Sequence, residues 1–151
     1  TTTPLLKGVD GQKMGKSFNN DIKIADTEDD TIKKVKQMIT DRTRIAKADP
    51  GHTNLCEVPW PMYQIFADQD LCAVVRDECE SAKIGCVDCK VRLAGQINQF
   101  FAPMREKRKE LAANPDNVRK IVEHGNLKAR KVAQQTLKEV REIMGMINWS
   151  R

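Results

Sequence analysis

The chain has 151 residues and a net charge of +5, with 40% hydrophobic, 31% charged and 5% aromatic residues. That is one domain's worth of chain with enough apolar content for a core. It shows no signal peptide, no long apolar stretch and no lipidation motif, so the expectation is a soluble cytoplasmic protein with no membrane or DNA partner. In chain order, residues 1–24 read as an irregular segment bearing Gly8, Gly11 and Gly15. Thr27 with Asp30 forms a helix-start box, and Ile32, Val35, Met38 and Ile39 recur at helical spacing. That helix should end between Ile39 and Asp41. Residues 43–59 read as loop, turning at Asp49-Pro50-Gly51. Trp60-Pro61 opens a short helix through Phe66, and a further helix is expected from Gln69 to Ala82. The helix from Cys86 carries Leu93, Ile97, Phe100 and Phe101. It should kink or break at Pro103 and continue to Ala113. Asn114-Pro115 caps another helix, with Gly125 as its stop, and Asn126 starts a last helix with Leu127, Val132, Leu137, Val140 and Met144 inward. No alternating strand is present. The expected fold is an all-α helical bundle over 25–151, preceded by a loop segment, 1–24.

Two patterns carry chemistry. Cys56, Cys79, Cys86 and Cys89 are spaced C-x22-C-x6-C-x2-C. Cys86 and Cys89 form a two-thiolate hook at a helix start, where free N–H groups and the helix dipole suit anionic sulfur. Gly85 is expected to permit the reversal that returns Cys79 toward the hook. A [4Fe–4S] cluster, a four-cysteine zinc site and plain buried thiols all remain open on spacing alone. Lys83, Lys90 and Arg92 are candidates to offset an anionic centre. Cys72 lies two helical turns before Cys79, ~10 Å along the axis, and reads as core. The second pattern is Lys13-Met14-Gly15-Lys16-Ser17. Two lysines three apart in a glycine-bearing loop can bracket a polyphosphate and act on charge that develops as pyrophosphate leaves. It is not a P-loop, since no G-x-x-x-x-G-K-[ST] is present.

Charge is uneven. From Pro103 onward there are 12 Lys/Arg against 6 Asp/Glu, whereas the first 102 residues hold 14 against 15. Basic excess on the last helices suits a nucleic-acid backbone, and a solvated helix face is the plain alternative. Arg105, Lys109, Arg119, Lys120, Lys128 and Arg130 are the candidate RNA contacts.

Gly8 to Ser17, followed by Asn20 and Ile22, resembles the KMSKS region of class I aminoacyl-tRNA synthetases, most of all the tryptophanyl family. The likeness continues in Thr40-Asp41, in Gly85-Cys86-Val87-Asp88-Cys89-Lys90, and in Ala129 to Ala133 with Thr136 to Arg141. The cysteine spacing is similar to that of a subgroup with a [4Fe–4S] cluster in the anticodon-binding domain. The resemblance implies ATP-dependent activation of tryptophan, with Mg2+, and transfer to tRNA(Trp). It gives Lys13 and Lys16 the motif lysines that stabilise leaving pyrophosphate, with Met14 and Ser17 at ATP, while Gly15 departs from the motif serine. It further makes 1–24 the end of a nucleotide-binding catalytic domain and 25–151 the anticodon-binding domain with the four-cysteine site, and implies a partnering N-terminal catalytic domain, a homodimer, and a C-terminal piece that does not form tryptophanyl-adenylate alone. The alternative is a stand-alone metal or iron–sulfur RNA-binding module without ligase activity.

Overall fold

In the computed structural model, residues 5–146 are described; 1–4 and 147–151, the outer ends of the two expected domains, lie outside them. The order is α1 (Glu28–Lys36), α2 (Pro59–Phe66), α3 (Gln69–Glu80), α4 (Cys86–Ala113) and α5 (Pro115–Ile143), with 3₁₀ turns at Lys16–Phe18 and Thr53–Leu55. Among the described residues the only extended pairing is an isolated bridge between Lys7 and Lys13. The all-helical expectation therefore holds. The chain divides into two compact units, 1–105 and 106–151, so residues 5–24 belong to the same unit as α1 to α3.

In the first unit each helix start has a local cause. The Thr27 hydroxyl accepts from the Asp30 N–H at 3.1 Å and donates to the Asp30 carboxylate at 2.7 Å. This is a capping box with a shortened acid. Acids fill the first turn of α1 and lysines its last, matching the helix dipole. Asp68 caps α3 by accepting from the Leu71 N–H at 2.7 Å. Pro59 starts α2, where its missing N–H takes nothing from the helix. The core gathers Val9, Val35, Met38, Val58, Met62, Tyr63, Val75, Leu93, Ala94 and Ile97. Val9 comes from the loop segment, and its C=O accepts from the Ile39 N–H at 3.2 Å. Apolar side chains from the loop segment and from every α-helix of this unit thus leave water together.

Four expectations are corrected. The first helix ends at Lys36, not at Ile39 to Asp41, because Gln37 and Met38 turn back onto Lys34 and Val35 carbonyls. Helix α3 ends at Glu80, and the left-handed residue in the reversal is Ala82 at φ 58°, not Gly85. The N–H groups of Lys83 and Ile84 both close onto the Glu78 carbonyl at 2.8 and 3.1 Å, which fixes that turn. Pro103 does not break α4, which continues to Ala113 as expected. The carbonyl that proline leaves without a donor belongs to Gln99, on the exposed side of the helix, where water can serve it.

The fourth correction concerns the second unit, which holds the end of α4 and all of α5. Asn114 caps α5 by accepting from the Asn117 N–H at 3.4 Å. Gly125 does not stop it: α5 is one helix from Pro115 to Ile143, and its many strong helix formers outweigh one glycine. The residues expected inward on the last helix are exposed in this chain, with Leu127 at 66% and Val132 at 67%.

Candidate functional sites: the lysine loop and the four-cysteine cavity

The lysine loop is built around Asn20, which is 2% exposed. Its amide nitrogen donates to the Asp10 carboxylate at 2.8 Å and to the Lys13 carbonyl at 3.0 Å. Its amide oxygen accepts from the Gly15 N–H at 2.9 Å, and its main-chain carbonyl accepts from the Val9 N–H at 3.0 Å. One buried side chain therefore holds both limbs of the loop, while Lys13, Lys16 and Ser17 stay exposed. Asp10 is held below the usual carboxylate range by these donors, chiefly Asn20. Gly8 leaves room for Asn20: a Cβ there would lie 2.4 Å from the Asn20 side chain. Gly15 is extended at φ −169°, a conformation open to any residue. A Cβ there would meet the exposed Phe18 ring at 3.1 Å, so the motif serine fits with a small ring movement. Asn20 and Gly8 lie within the stretch that carried the resemblance. Their positioning role was hidden because asparagine and glycine in a loop read first as turn residues.

The four spaced cysteines come together. Cys56, Cys79, Cys86 and Cys89 line one apolar cavity with Thr40, Asp41, Arg44, Gly51 and Pro59, with about 20 Å³ open to a water-sized sphere. All four are free thiols. Cys56 follows the Thr53–Leu55 turn, Cys79 lies in the last turn of α3, and Cys86 and Cys89 occupy the first turn of α4. Burial pushes the Cys56 and Cys89 thiols up to about 11, and raises Cys79 as well. Among the described residues, no three Cys, His, Asp or Glu side chains converge tightly enough for a single metal ion.

The walls of the cavity are pinned by groups the spacing did not reveal. Gly51 is required by close approach: its N–H donates to the Cys79 carbonyl at 2.9 Å, and a Cβ would lie 2.5 Å from the Cys79 sulfur. Asp41, 5% exposed, accepts from the Thr43 N–H and hydroxyl at 2.8 and 2.6 Å. It also accepts from the His52 N–H and lies 2.9 Å from His52 Nδ1. Burial alone would raise this acid, and the hydrogen bonds together outweigh it and hold it at about 2. Tyr63 donates to the Cys89 carbonyl at 2.7 Å.

The cation at the cavity is Arg44. Its Nη1 lies 4.0 Å from the Cys86 sulfur, its Nη2 donates to the Lys47 carbonyl at 2.6 Å, and its buried Nε has no acceptor among the described residues. Lys83 pairs with Asp77 at 3.0 Å, and Arg92 with Glu78 at 2.6 Å. Lys90 donates to the Lys36 and Met38 carbonyls, both at 2.8 Å. Cys72 stands apart, half-buried, its thiol 3.5 Å from the Tyr63 carbonyl.

The basic candidates are distributed differently. Arg105 turns inward, donating to Asn98 Oδ1 and Thr31 Oγ1, both at 2.8 Å. Lys109 pairs with Glu106 at 2.6 Å and Arg119 with Asp116 at 3.1 Å, on exposed helix surface where such pairs contribute little. Lys120, Lys128 and Arg130 are exposed and have no carboxylate partner among the described residues.

Residues 1–102 match the family model described as tRNA synthetases class I (W and Y). The chain is 35% identical over 147 residues to a tryptophan–tRNA ligase of Aquifex aeolicus, covering 97% of the chain and 37% of that protein. It is 38% identical over 146 residues to one of Ralstonia nicotianae, covering 97% and 36%. A crystal structure of tryptophanyl-tRNA synthetase from Campylobacter jejuni, complexed with ADP and tryptophan, superposes with a TM-score of 0.83 at 30% identity, over 94% of this chain and 44% of that one. The chain thus spans well under half the length of these relatives. With its lysine loop, helical body and matched sequence taken together, the chain belongs to the class I tRNA synthetases of the tryptophan and tyrosine type.

Proposed function

We propose that this chain is the C-terminal part of an ATP-dependent tryptophan–tRNA ligase, contributing the pyrophosphate-binding lysine loop and a tRNA(Trp)-binding helical region. The observation that carries this reading is the likeness to tryptophan–tRNA ligases along 97% of the chain, joined to a loop whose backbone is fixed by Asn20 while Lys13 and Lys16 stay exposed. In that role the two ammonium groups, with Met14 and Ser17 beside them, bind the phosphates of ATP. They act most strongly as charge moves onto pyrophosphate. Asn20 holds the loop so that closing it orders fewer residues. Tryptophan, ATP with Mg2+ and tRNA(Trp) are the substrates of the whole protein, which works in the cytoplasm as a homodimer with its N-terminal catalytic domain. Lys109, Arg119, Lys120, Lys128 and Arg130 meet RNA phosphates, and Arg105 serves the fold.

We assign the four-cysteine cavity a [4Fe–4S] cluster, with a four-cysteine zinc as the alternative. Four thiols on one apolar cavity, beside an Arg44 Nε–H with no acceptor among the described residues, suit an anionic group. Little of the cavity is open, and loading would require the thiols to lose their protons. When bound, the group ties three separate chain segments together and supplies no electrons that tRNA charging needs. The cysteines hold it, and Arg44 donates toward its charge.

The experiment is charging of tRNA(Trp) with tryptophan by the full-length protein, beside tryptophan-dependent pyrophosphate–ATP exchange. Both reactions are expected. Lys16→Ala should lower kcat for exchange by about 10²-fold or more and leave the KM for tryptophan within a few-fold. A wild-type protein that binds tRNA but never activates tryptophan would replace this reading with an RNA-binding module.

A further inference from the structure

An open cleft of about 330 Å³ shares no lining residue with the lysine loop or the four-cysteine cavity. Its lining includes Trp60, Gln64, Gln69, Cys72 and Arg76, and no carboxylate. The guanidinium carbon of Arg76 sits 4.9 Å from the centroid of the Trp60 ring. Trp60 is half-buried and tilted against Tyr63 at 6.5 Å, so its ring orientation is set by the core. Gln64, Gln69 and Arg76 are exposed. The cleft therefore offers a fixed π surface, a planar cation and two amides that each carry both donor and acceptor.

That set of groups matches one ligand chemistry. An unpaired nucleobase is a flat π system with hydrogen-bond donors and acceptors around its edge, and proteins take such bases by stacking on aromatic rings or guanidinium planes. An apolar peptide would leave both amides and the guanidinium unmatched. An anionic ligand would be offered one cation and an indole. We propose that the Trp60–Arg76 cleft is a binding site for a single unpaired base of RNA, stacked on the Trp60–Arg76 pair and hydrogen-bonded at its edge by Gln64 and Gln69. The proposal rests on the tRNA-binding reading above and names a place for one base within it. Trp60 lies in the first turn of α2, four residues after Cys56. Cys72, the one cysteine outside the cavity, is in the wall of the cleft and reports on it.

The test uses the full-length protein and a fluorescent RNA hairpin with the tRNA(Trp) anticodon stem and loop, beside a fully paired duplex of the same stem. Arg76→Ala and Trp60→Phe should weaken hairpin binding, Arg76→Ala by about 5- to 150-fold, with duplex binding changed several-fold at most. Arg76 is exposed, so its loss leaves the core intact and separates binding from folding. The hairpin, and not the duplex, should protect Cys72 from alkylation by iodoacetamide, read by mass spectrometry. If wild type binds the hairpin and Arg76→Ala and Gln69→Ala bind it equally well, with Cys72 unprotected, the cleft is not a base site and the tRNA-binding reading stands. If both RNAs bind wild type equally, only backbone charge is read and the proposal fails. If wild type binds no RNA, the tRNA-binding reading itself fails, and the site with it.

Discussion

Gly51 and Ala82 carry much of the geometry at the residue scale, for opposite reasons. Gly51 is needed for space: a methyl group there enters the volume of the Cys79 sulfur. Gly51→Ala should destabilise the protein by about 1–3 kcal/mol, as overpacking does, and reduce the iron retained per chain. Chemical denaturation and iron analysis check both, and an unchanged protein would mean the Cys79 sulfur is not held where the structure puts it. Ala82 is strained instead. At φ 58° its Cβ crowds the backbone, a conformation that costs an L-residue about 1–2 kcal/mol. Ala82→Gly should raise stability by about 0.5–1 kcal/mol, seen as a higher urea midpoint at constant slope. A lower midpoint would contradict this account of the turn. Neither role was legible from residue type. Gly51 follows Asp-Pro and reads as a turn signal, and Gly85 attracted the reversal because glycine is the default left-handed residue. Arg44 escaped notice for a related cause. Lys83, Lys90 and Arg92 are nearer the cysteines in sequence, but their charges are taken by Asp77, by main-chain carbonyls and by Glu78.

Elements were easier to read than their ends. Each helical region was located, with α5 read as two helices, and Thr27 and Asn114 marked two starts because a cap is a local side-chain event. Pro103 and Gly125 misled, since each is a breaker only when the surrounding residues cannot carry the helix past it. Gln99 is exposed opposite Pro103, and nothing lies within 4 Å of a Cβ built on Gly125. Gly125→Ala should therefore stabilise α5 by about 0.5–1 kcal/mol without a clash, measured as increased helicity at the midpoint of thermal unfolding. A loss of stability would contradict the open surroundings of Gly125. The apolar spacing of α5 also predicted burial that the chain does not supply, since periodicity specifies a face without specifying what covers it.

For the whole molecule, two candidate sites share one scaffold. The lysine loop reaches the core through Val9 and Asn20, and the cysteine cavity reaches it through Tyr63 and the first turn of α4. The sequence pattern singled out both sets of candidate residues. What it could not convey was the supporting layer of Asn20, Asp41, Arg44 and Gly51, whose functions exist only once distant segments meet. The claim on which most of the architecture turns is that Cys56, Cys79, Cys86 and Cys89 together hold a [4Fe–4S] cluster. The most direct measurement is metal content and the visible spectrum of anaerobically purified protein, for wild type and for Cys→Ser at each of five positions. Wild type should be brown with about four irons per chain. Serine at any of the four cavity positions should remove the colour and lower the unfolding temperature, while Cys72→Ser should keep both. Stoichiometric zinc without iron, or a colour that depends on Cys72 and survives loss of Cys79, would contradict it.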